Sequence, residues 1–126
     1  MSDMMKKIAD LLKVEPAMQG VTIKPYYRPE SLNKRDPSLA IVPMAPPKQQ
    51  SFASNKPLRK EFTYQMNIEA PTKSRCTEIA QAVENVLFGL GFIQLNGGLD
   101  EYFVETERYV DARRYRGYSA IYDTDY

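Results

Sequence analysis

The chain has 126 residues, of which 43 % are apolar and 26 % are charged, with a formal net charge of +1 and one cysteine. This length predicts a single domain, residues 1–126, with a hydrophobic core of its own. Because the chain contains no histidine, Ser–His and Cys–His nucleophiles and histidine-bound zinc are excluded. The sequence therefore predicts no catalytic residue, no metal and no cofactor. The small net charge and the lack of a long apolar run give no general reason to expect binding to nucleic acid or a membrane.

An amphipathic helix is predicted at the start of the chain, from Ser2 to about Val14, because apolar residues recur there on one helical face. Pro16 ends it. Two short strands are predicted next, one around Val21 and one at residues 39–42. Polar residues, prolines and an asparagine between them predict a loop at 27–37.

Residues 45–60, with the sequence APPKQQSFASNKPLRK, contain three prolines and no acidic residue. The segment carries four basic residues: Lys48, Lys56, Arg59 and Lys60. It connects two strands that are expected to be neighbours, yet it is much longer than a usual hairpin loop of about two to five residues. We therefore predict a long extended loop. It is either solvated or an arm that becomes ordered only against a partner.

A strand followed by a helix, residues 61–91, is the unit around which the chain is organised. Apolar side chains occupy every second position of its first part: Phe62, Tyr64, Met66 and Ile68. That period of two predicts a strand with one buried face. From about Ser74 the apolar spacing becomes helical, so a second helix follows, capped by Thr72 or Ser74. Cys76 opens its apolar stripe and is interpreted as a small core residue.

Further strands are predicted at 92–95, 102–104 and about 108–122, with a tight turn at Asn96-Gly97. The last strand is rich in arginine and tyrosine: Arg108, Tyr109, Arg113, Arg114, Tyr115, Arg116 and Tyr118. These residue types are typical of protein interfaces and also of nucleic-acid surfaces. Acidic residues precede them, which favours an interface because carboxylates repel phosphate: Asp100, Glu101, Glu105 and Glu107. An ordinary solvated surface and a nucleic-acid contact remain open alternatives.

The order of these elements predicts an α+β domain. Its sheet is mostly antiparallel, two helices pack on one face, and a long loop joins two of the strands. The other face of the sheet would then be free for a partner.

This layout, together with three segments, gives the chain a family resemblance. The segments are VLFGLGF at 86–92, GLDEYFVET at 98–106 and RRYRGY at 113–118. In these features the chain resembles the small tail terminator proteins of long-tailed siphophages, also called tail-completion or head–tail joining proteins.

The resemblance implies a non-enzymatic virion structural protein of the tail and neck, assembled in the host cytoplasm. It implies a homo-hexameric ring that caps the tail tube, ends tube polymerisation and provides the head–tail joining surface. The partners would be further copies of the chain, the major tail tube protein and head-completion or connector proteins. Genomic DNA would only pass through the lumen, and no membrane would be involved.

Charge segregation suggests where such a ring would make contacts, because neighbouring copies in a ring meet through two different patches. The residues expected at the subunit or partner interface are Asp100, Glu101, Glu105, Glu107, Arg108, Arg113, Arg114, Tyr115 and Arg116. The loop with Lys48, Lys56, Arg59 and Lys60 is expected to face the lumen or the tube.

Two other functions remain open at the level of sequence. One is a small nucleic-acid-binding module that uses the Arg/Tyr-rich last strand and the basic loop. The other is a neighbouring head-completion ring protein, which would share the small size and the ring architecture.

Overall fold

The computed structural model describes residues 3–26, 36–44, 48–53 and 56–120. The elements in chain order are α1 (Asp3–Lys13), a 3₁₀ turn (Pro16–Met18), β1 (Thr22–Pro25), β2 (Ser38–Pro43), β3 (Lys48–Ala53), β4 (Lys56–Ala70), α2 (Lys73–Gly89), β5 (Ile93–Gln94), β6 (Leu99–Phe103) and β7 (Arg108–Ala120). This confirms the predicted α+β class with two helices. Most of the polar loop predicted at 27–37 and the end of the strand predicted to reach 122 lie outside the described residues.

The strands form one seven-stranded sheet in the order β1-β2-β4-β7-β5, with β3 also paired to β4 and β6 also paired to β7. Only β1 and β2 run parallel, and the other described pairs are antiparallel. The long pair β4–β7 is the centre of the sheet, with register from Arg59↔Ala120 to Ala70↔Tyr109. β2 and β3 pair with β4, β5 and β6 pair with β7, and β1 pairs with β2. The sheet is therefore mostly antiparallel, as predicted.

Both helices pack on one face of this sheet, which we call the inner face. The inward side chains of β4 are at most 2 % exposed: Phe62, Tyr64, Met66 and Ile68. They share one buried cluster with Ile8 and Leu12 of α1 and with Ile79 and Leu87 of α2. The alternation in the sequence therefore identified the buried face of the central strand correctly. We call the opposite face, which carries Thr63, Gln65 and Asn67, the outer face.

The prediction of a long loop at 45–60 is wrong, because most of that segment is a β-hairpin. β3 pairs with the first part of β4 from Lys48↔Glu61 to Ala53↔Lys56. The two residues between the strands, 54 and 55, lie outside the described part of the chain. This hairpin is not predictable from the sequence, because its residues lack an apolar alternation. Its strands are held by backbone pairing at a sheet edge instead.

Two local features fix where α2 starts and stops. The Thr72 hydroxyl accepts a hydrogen bond from the Arg75 backbone N–H at 3.2 Å, so Thr72 is the N-cap. At the other end, Gly91 adopts φ +84°, and the next N–H, of Phe92, donates to the Leu87 carbonyl at 2.9 Å. This turn needs a residue that tolerates positive φ. It sends the chain directly into β5.

Phe92 then packs on the sheet directly against Gly117 of β7, where a larger residue would not fit. A Cβ built on Gly117 of β7 would lie 2.4 Å from the Phe92 ring. The ring is 1 % exposed and lies 6.1 Å from the Tyr64 ring, centroid to centroid. The missing side chain of Gly117 therefore makes room for an aromatic residue that closes this end of the core.

Candidate assembly surface

The interface residues predicted from the sequence divide between the two faces of β6 and β7. Tyr115 lies opposite Tyr64 and so on the inner face, and alternate residues of a strand share a face. The inner-face positions of β7 include Asp111, Arg113 and Tyr115, and its outer-face positions include Arg108, Arg114 and Arg116. On β6, Asp100 lies opposite Asp111, and Glu101 lies opposite Val110. The structure therefore does not bring the predicted residues together in one patch.

The Arg108 side chain is buried, with 2 % of it exposed, and it connects separate parts of its own chain. Its Nη2 donates to the Asp36 backbone carbonyl at 2.8 Å, and its Nε lies 3.7 Å from Oε1 of Glu69. These contacts join the start of β7 to the end of β4 and to the segment that leads into β2. A buried arginine is stable only with such partners, so Arg108 acts inside this chain.

Arg113 also has its partner on the same strand. Its Nε and Nη2 donate to the two carboxylate oxygens of Asp111 at 2.9 and 3.1 Å. Burial raises the pKa of Asp111, and the nearby charge of Asp100 raises it further, while the hydrogen bonds from Arg113 lower it. This two-point geometry holds a buried carboxylate against the inner face.

The hydroxyl of Tyr109 donates a hydrogen bond to Asp100. That bond is the main cause that raises the pKa of Tyr109 to about 12. Tyr115 is 1 % exposed and belongs to the core cluster. Neither tyrosine is presented as a free aromatic on the outer face.

The outer-face arginines contact β4. Arg116 Nε lies 3.5 Å from a Glu61 carboxylate oxygen, and the Tyr118 hydroxyl donates to the same oxygen at 3.4 Å. Arg114 Nε donates to Oε1 of Gln65 at 3.0 Å, and Arg114 is exposed. Arg114 is therefore the arginine of β7 that is most accessible to a partner.

The acidic residues at the β6–β7 turn differ from these arginines. Glu101 and Glu105 are exposed, and no ion pair between either residue and a described lysine or arginine is present. Glu107 is exposed too and turns the chain with φ +54°. Negative charge thus accumulates at this end of the sheet, which we call the acidic edge (Glu101, Glu105 and Glu107).

A groove of about 400 Å³ lies on the outer face beside the acidic edge. Its lining consists of Gln65, Asn67, Glu69, Leu99, Phe103, Glu105, Thr106, Val110 and Ala112. Apolar side chains from β6 and β7 meet polar side chains of β4 in it, and its lining includes two acidic residues, Glu69 and Glu105. Sequence reasoning missed this groove. The available signal was that Val110 and Ala112 flank a polar residue on β7, while Leu99 and Phe103 are four residues apart and share one face of the paired strand β6.

The basic residues predicted to lie in a loop are on the β3–β4 hairpin instead. We call residues 48–60 the basic arm. Lys60 is partly exposed, and the side chains of Lys48, Lys56 and Arg59 lie outside the described part of the chain. The arm has four basic residues and no acidic residue, so all of its formal charges are positive.

Cys76 is buried at 0 % exposure, as expected for a core residue. Burial is the main cause that raises its thiol pKa to about 12. Within the described ranges, no group of three or more His, Cys, Asp or Glu residues is placed to hold a metal ion. No helix in those ranges is long and apolar enough to cross a membrane.

No family model matches the chain, and no curated protein sequence matches it. Its fold does match a chain in the virion of a native gene transfer agent particle, with a TM-score of 0.60 at 12 % sequence identity. The match covers 90 % of this chain and 91 % of that chain. The two chains therefore share a fold along almost their entire lengths.

Proposed function

We propose that this chain is a non-enzymatic structural protein of a phage-like virion. In this proposal it is a tail terminator that forms a homo-hexameric ring on the end of the tail tube. The ring stops the addition of tube subunits and presents a joining surface to head-completion or connector proteins. Genomic DNA passes through its lumen, and the protein works in the tail and neck after assembly in the host cytoplasm.

The fold shared with a virion chain carries this proposal. The match spans about nine-tenths of both polypeptides, so it concerns the whole arrangement of helices and sheet rather than one common motif. The sequence resemblance to siphophage tail terminators points to the same kind of particle independently.

The charges also favour a protein interface over a nucleic-acid surface. Arg108, Arg113 and Arg116 lie against carboxylates of their own chain, which reduces the positive charge that β7 offers to phosphate. We propose that Arg114, Glu101 and Glu105 contact neighbouring copies directly. Arg108, Arg113 and Tyr115 would then support the interface by holding β7 in place.

Native mass spectrometry of the purified protein, alone and mixed with tail tubes, tests the proposal. We expect a hexamer, or six copies retained at a tube end, and an arrest of tube growth. A chain that ignores tubes but binds short duplex DNA with steep salt dependence would overturn it in favour of a nucleic-acid-binding module. A six-copy ring that binds connector and not tube would identify a head-completion protein instead.

A further inference from the structure

The sheet has an open strand edge at each of its two ends. Among the strands that the structure describes, β1 pairs only with β2, and β6 pairs only with β7. The backbone N–H and C=O groups on the far sides of β1 and β6 therefore have no described strand beside them. Such an edge can be extended by a strand of another polypeptide through main-chain hydrogen bonds.

The β6 edge carries a carboxylate between two apolar side chains. Leu99 lies opposite the outer-face residue Ala112, so Leu99, Glu101 and Phe103 share the outer face. Leu99 is 38 % exposed, Glu101 is exposed and Phe103 is partly exposed. Glu101 forms no ion pair with a lysine or arginine of the described ranges. This edge is therefore suited to a strand that places a positive charge beside Glu101.

The β1 edge carries such a positive charge. Lys24 lies opposite Ala40, which lies opposite the outer-face residue Asn67, so Lys24 is also on the outer face. Lys24 is exposed, and no ion pair joins it to an acidic residue in the described part of the chain. Two residues further on, Tyr26 is 57 % exposed. The β1 edge thus presents an ammonium group next to an aromatic side chain.

The two edges are complementary to each other and not to themselves. Pairing two copies through β6, centred on Glu101, would place two carboxylates opposite each other. Pairing two copies through β1, centred on Lys24, would do the same with two ammonium groups. Like charges directly opposite each other destabilise a strand pair, whereas opposite charges stabilise it. Charge therefore favours contact between a β1 edge and a β6 edge.

This contact must join two copies of the chain. Within one sheet, β1 and β6 are separated by the three strands β2, β4 and β7. Four strand spacings of ~4.8 Å place the two edges about 19 Å apart. Both edges also face away from the sheet, so one chain does not bring them together.

We propose that the β1 edge of one copy pairs with the β6 edge of the next copy, with Lys24 opposite Glu101. The two sheets then continue across the boundary between subunits. The contact is heterologous, because each copy uses β1 on one neighbour and β6 on the other, and such contacts close into rings when the rotation closes. The inference rests on the proposed ring and identifies the strand edges that build it.

Side chains rather than many backbone bonds give this contact its specificity. β1 has four residues, and its last residue, Pro25, has no N–H to donate. With Lys24 opposite Glu101, the outer-face positions on either side of Lys24 lie beside Leu99 and Phe103. This holds for both strand directions, because Leu99 and Phe103 are equally far from Glu101 along β6.

Charge reversal in the full chain tests the pairing. Lys24→Glu alone or Glu101→Lys alone places like charges opposite each other. Each is expected to weaken self-association about tenfold, equivalent to ~1.4 kcal/mol. The doubly reversed chain, Lys24→Glu/Glu101→Lys, restores opposite charges and is expected to assemble like the wild type. An equimolar mixture of the two single variants is also expected to recover, with the variants alternating in one complex. Native mass spectrometry of the protein, alone and on tail tubes, measures all of these.

Lys6→Glu is the matched control, because it reverses an exposed charge on α1 rather than on a strand edge. It is expected to leave assembly unchanged. Normal assembly of either single variant, or failure of the doubly reversed chain to recover, would overturn the pairing. An equal loss in Lys6→Glu would also overturn it, because net charge would then explain the effect.

Disulfide trapping gives a second readout that does not depend on charge. Residues directly opposite each other on paired strands have Cβ atoms about 4.5–5.5 Å apart, close enough for a disulfide after a small shift. Lys24→Cys chains mixed with Glu101→Cys chains are expected to form a linked heterodimer on mild oxidation. Lys6→Cys with Glu101→Cys is the matched control, and native Cys76 is 0 % exposed and stays unreactive. Linkage no greater than in the control would contradict the pairing.

The outcomes separate this inference from the proposed function. Capping of tubes by six copies of the wild type and of each single variant would leave the tail terminator intact and remove the pairing. Charge-dependent assembly that recovers in the doubly reversed chain, but has no effect on tubes, would keep the pairing and remove the terminator.

Discussion

The two faces of the β4–β7 pair are formed by the same strands but differ in how far their side chains are buried. On the inner face, side chains such as Met66 and Ile68 are at most 1 % exposed beneath the helices. On the outer face, Thr63, Gln65 and Asn67 remain partly exposed, and no described helix covers them. The difference shows that folding free energy is concentrated on one face. The outer face carries polar and charged side chains that contribute less to the core.

The largest expected contrast between the faces comes from two truncations on β4. Met66→Ala opens a cavity in the inner core and is expected to lower the free energy of unfolding by about 2–5 kcal/mol. Thr63→Ala removes an outer-face side chain three residues away and is expected to change it by no more than about 0.5 kcal/mol. Urea unfolding followed by circular dichroism measures both. Equal losses would contradict the assignment of stability to one face.

A second test concerns the helix that covers the inner face. Thr72→Ala removes the hydroxyl that accepts from the Arg75 N–H, and it is expected to cost about 1 kcal/mol. Ser74→Ala, inside the first turn, is the matched control and is expected to be nearly neutral. Thermal unfolding of the two variants compares them. A larger loss for Ser74→Ala would mean that α2 begins later than the structure shows.

The smallest expected effect concerns Asp111, a charged residue on the inner face. Burial raises the pKa of Asp111 in the folded chain above its unfolded value. The protonated form therefore favours folding, and this contribution is fully present below the unfolded pKa and is lost as pH rises through the folded pKa. Relative to Asp111→Asn, the wild type is expected to be most stable below about pH 4 and to lose that advantage at higher pH.

The charged groups around Asp111 supply the control for this pH dependence. Arg113 lowers the pKa of Asp111 and Asp100 raises it. Cys76 and Tyr109 lie close by on the packed elements. Asp100→Asn removes the charge that opposes ionisation, so the pH window is expected to move to lower pH in that background. Unfolding curves at several pH values measure the shift, and a window that does not move would exclude coupling between the two carboxylates.

Much of the fold was predictable because the signals were local. The alternation at 62–68 and the helical stripe that starts near Cys76 define the central unit, and Thr72 was one of the two predicted caps. The β3–β4 hairpin was not predictable from the same signals, because Gln49, Gln50 and Ser51 show no apolar period. Its pairing depends on a backbone partner rather than on side-chain burial.

The candidate assembly surface was less predictable than the fold. Sequence reasoning found the acidic and basic clusters, but it could not tell which charges pair inside the chain. Arg113 meets a carboxylate two positions away on its own strand, whereas Arg116 meets Glu61 across the sheet. The second pairing depends on the β4–β7 register, because Glu61 and Arg116 lie more than fifty positions apart in the chain. The apolar alternation of each strand excludes a register shifted by one residue, but it does not distinguish registers that differ by two.

Because β4 is continuous, the distance between its two ends is fixed. A single strand of 15 residues, about 50 Å at ~3.3 Å per residue, runs from the arm into the core without a linker. The length of this strand therefore sets the spacing between the tip-side end of the β3–β4 hairpin and the end of β4 beneath the helices. Lengthening it and its partner strands by two residues would keep every side chain on its face while widening that spacing by about 6.6 Å.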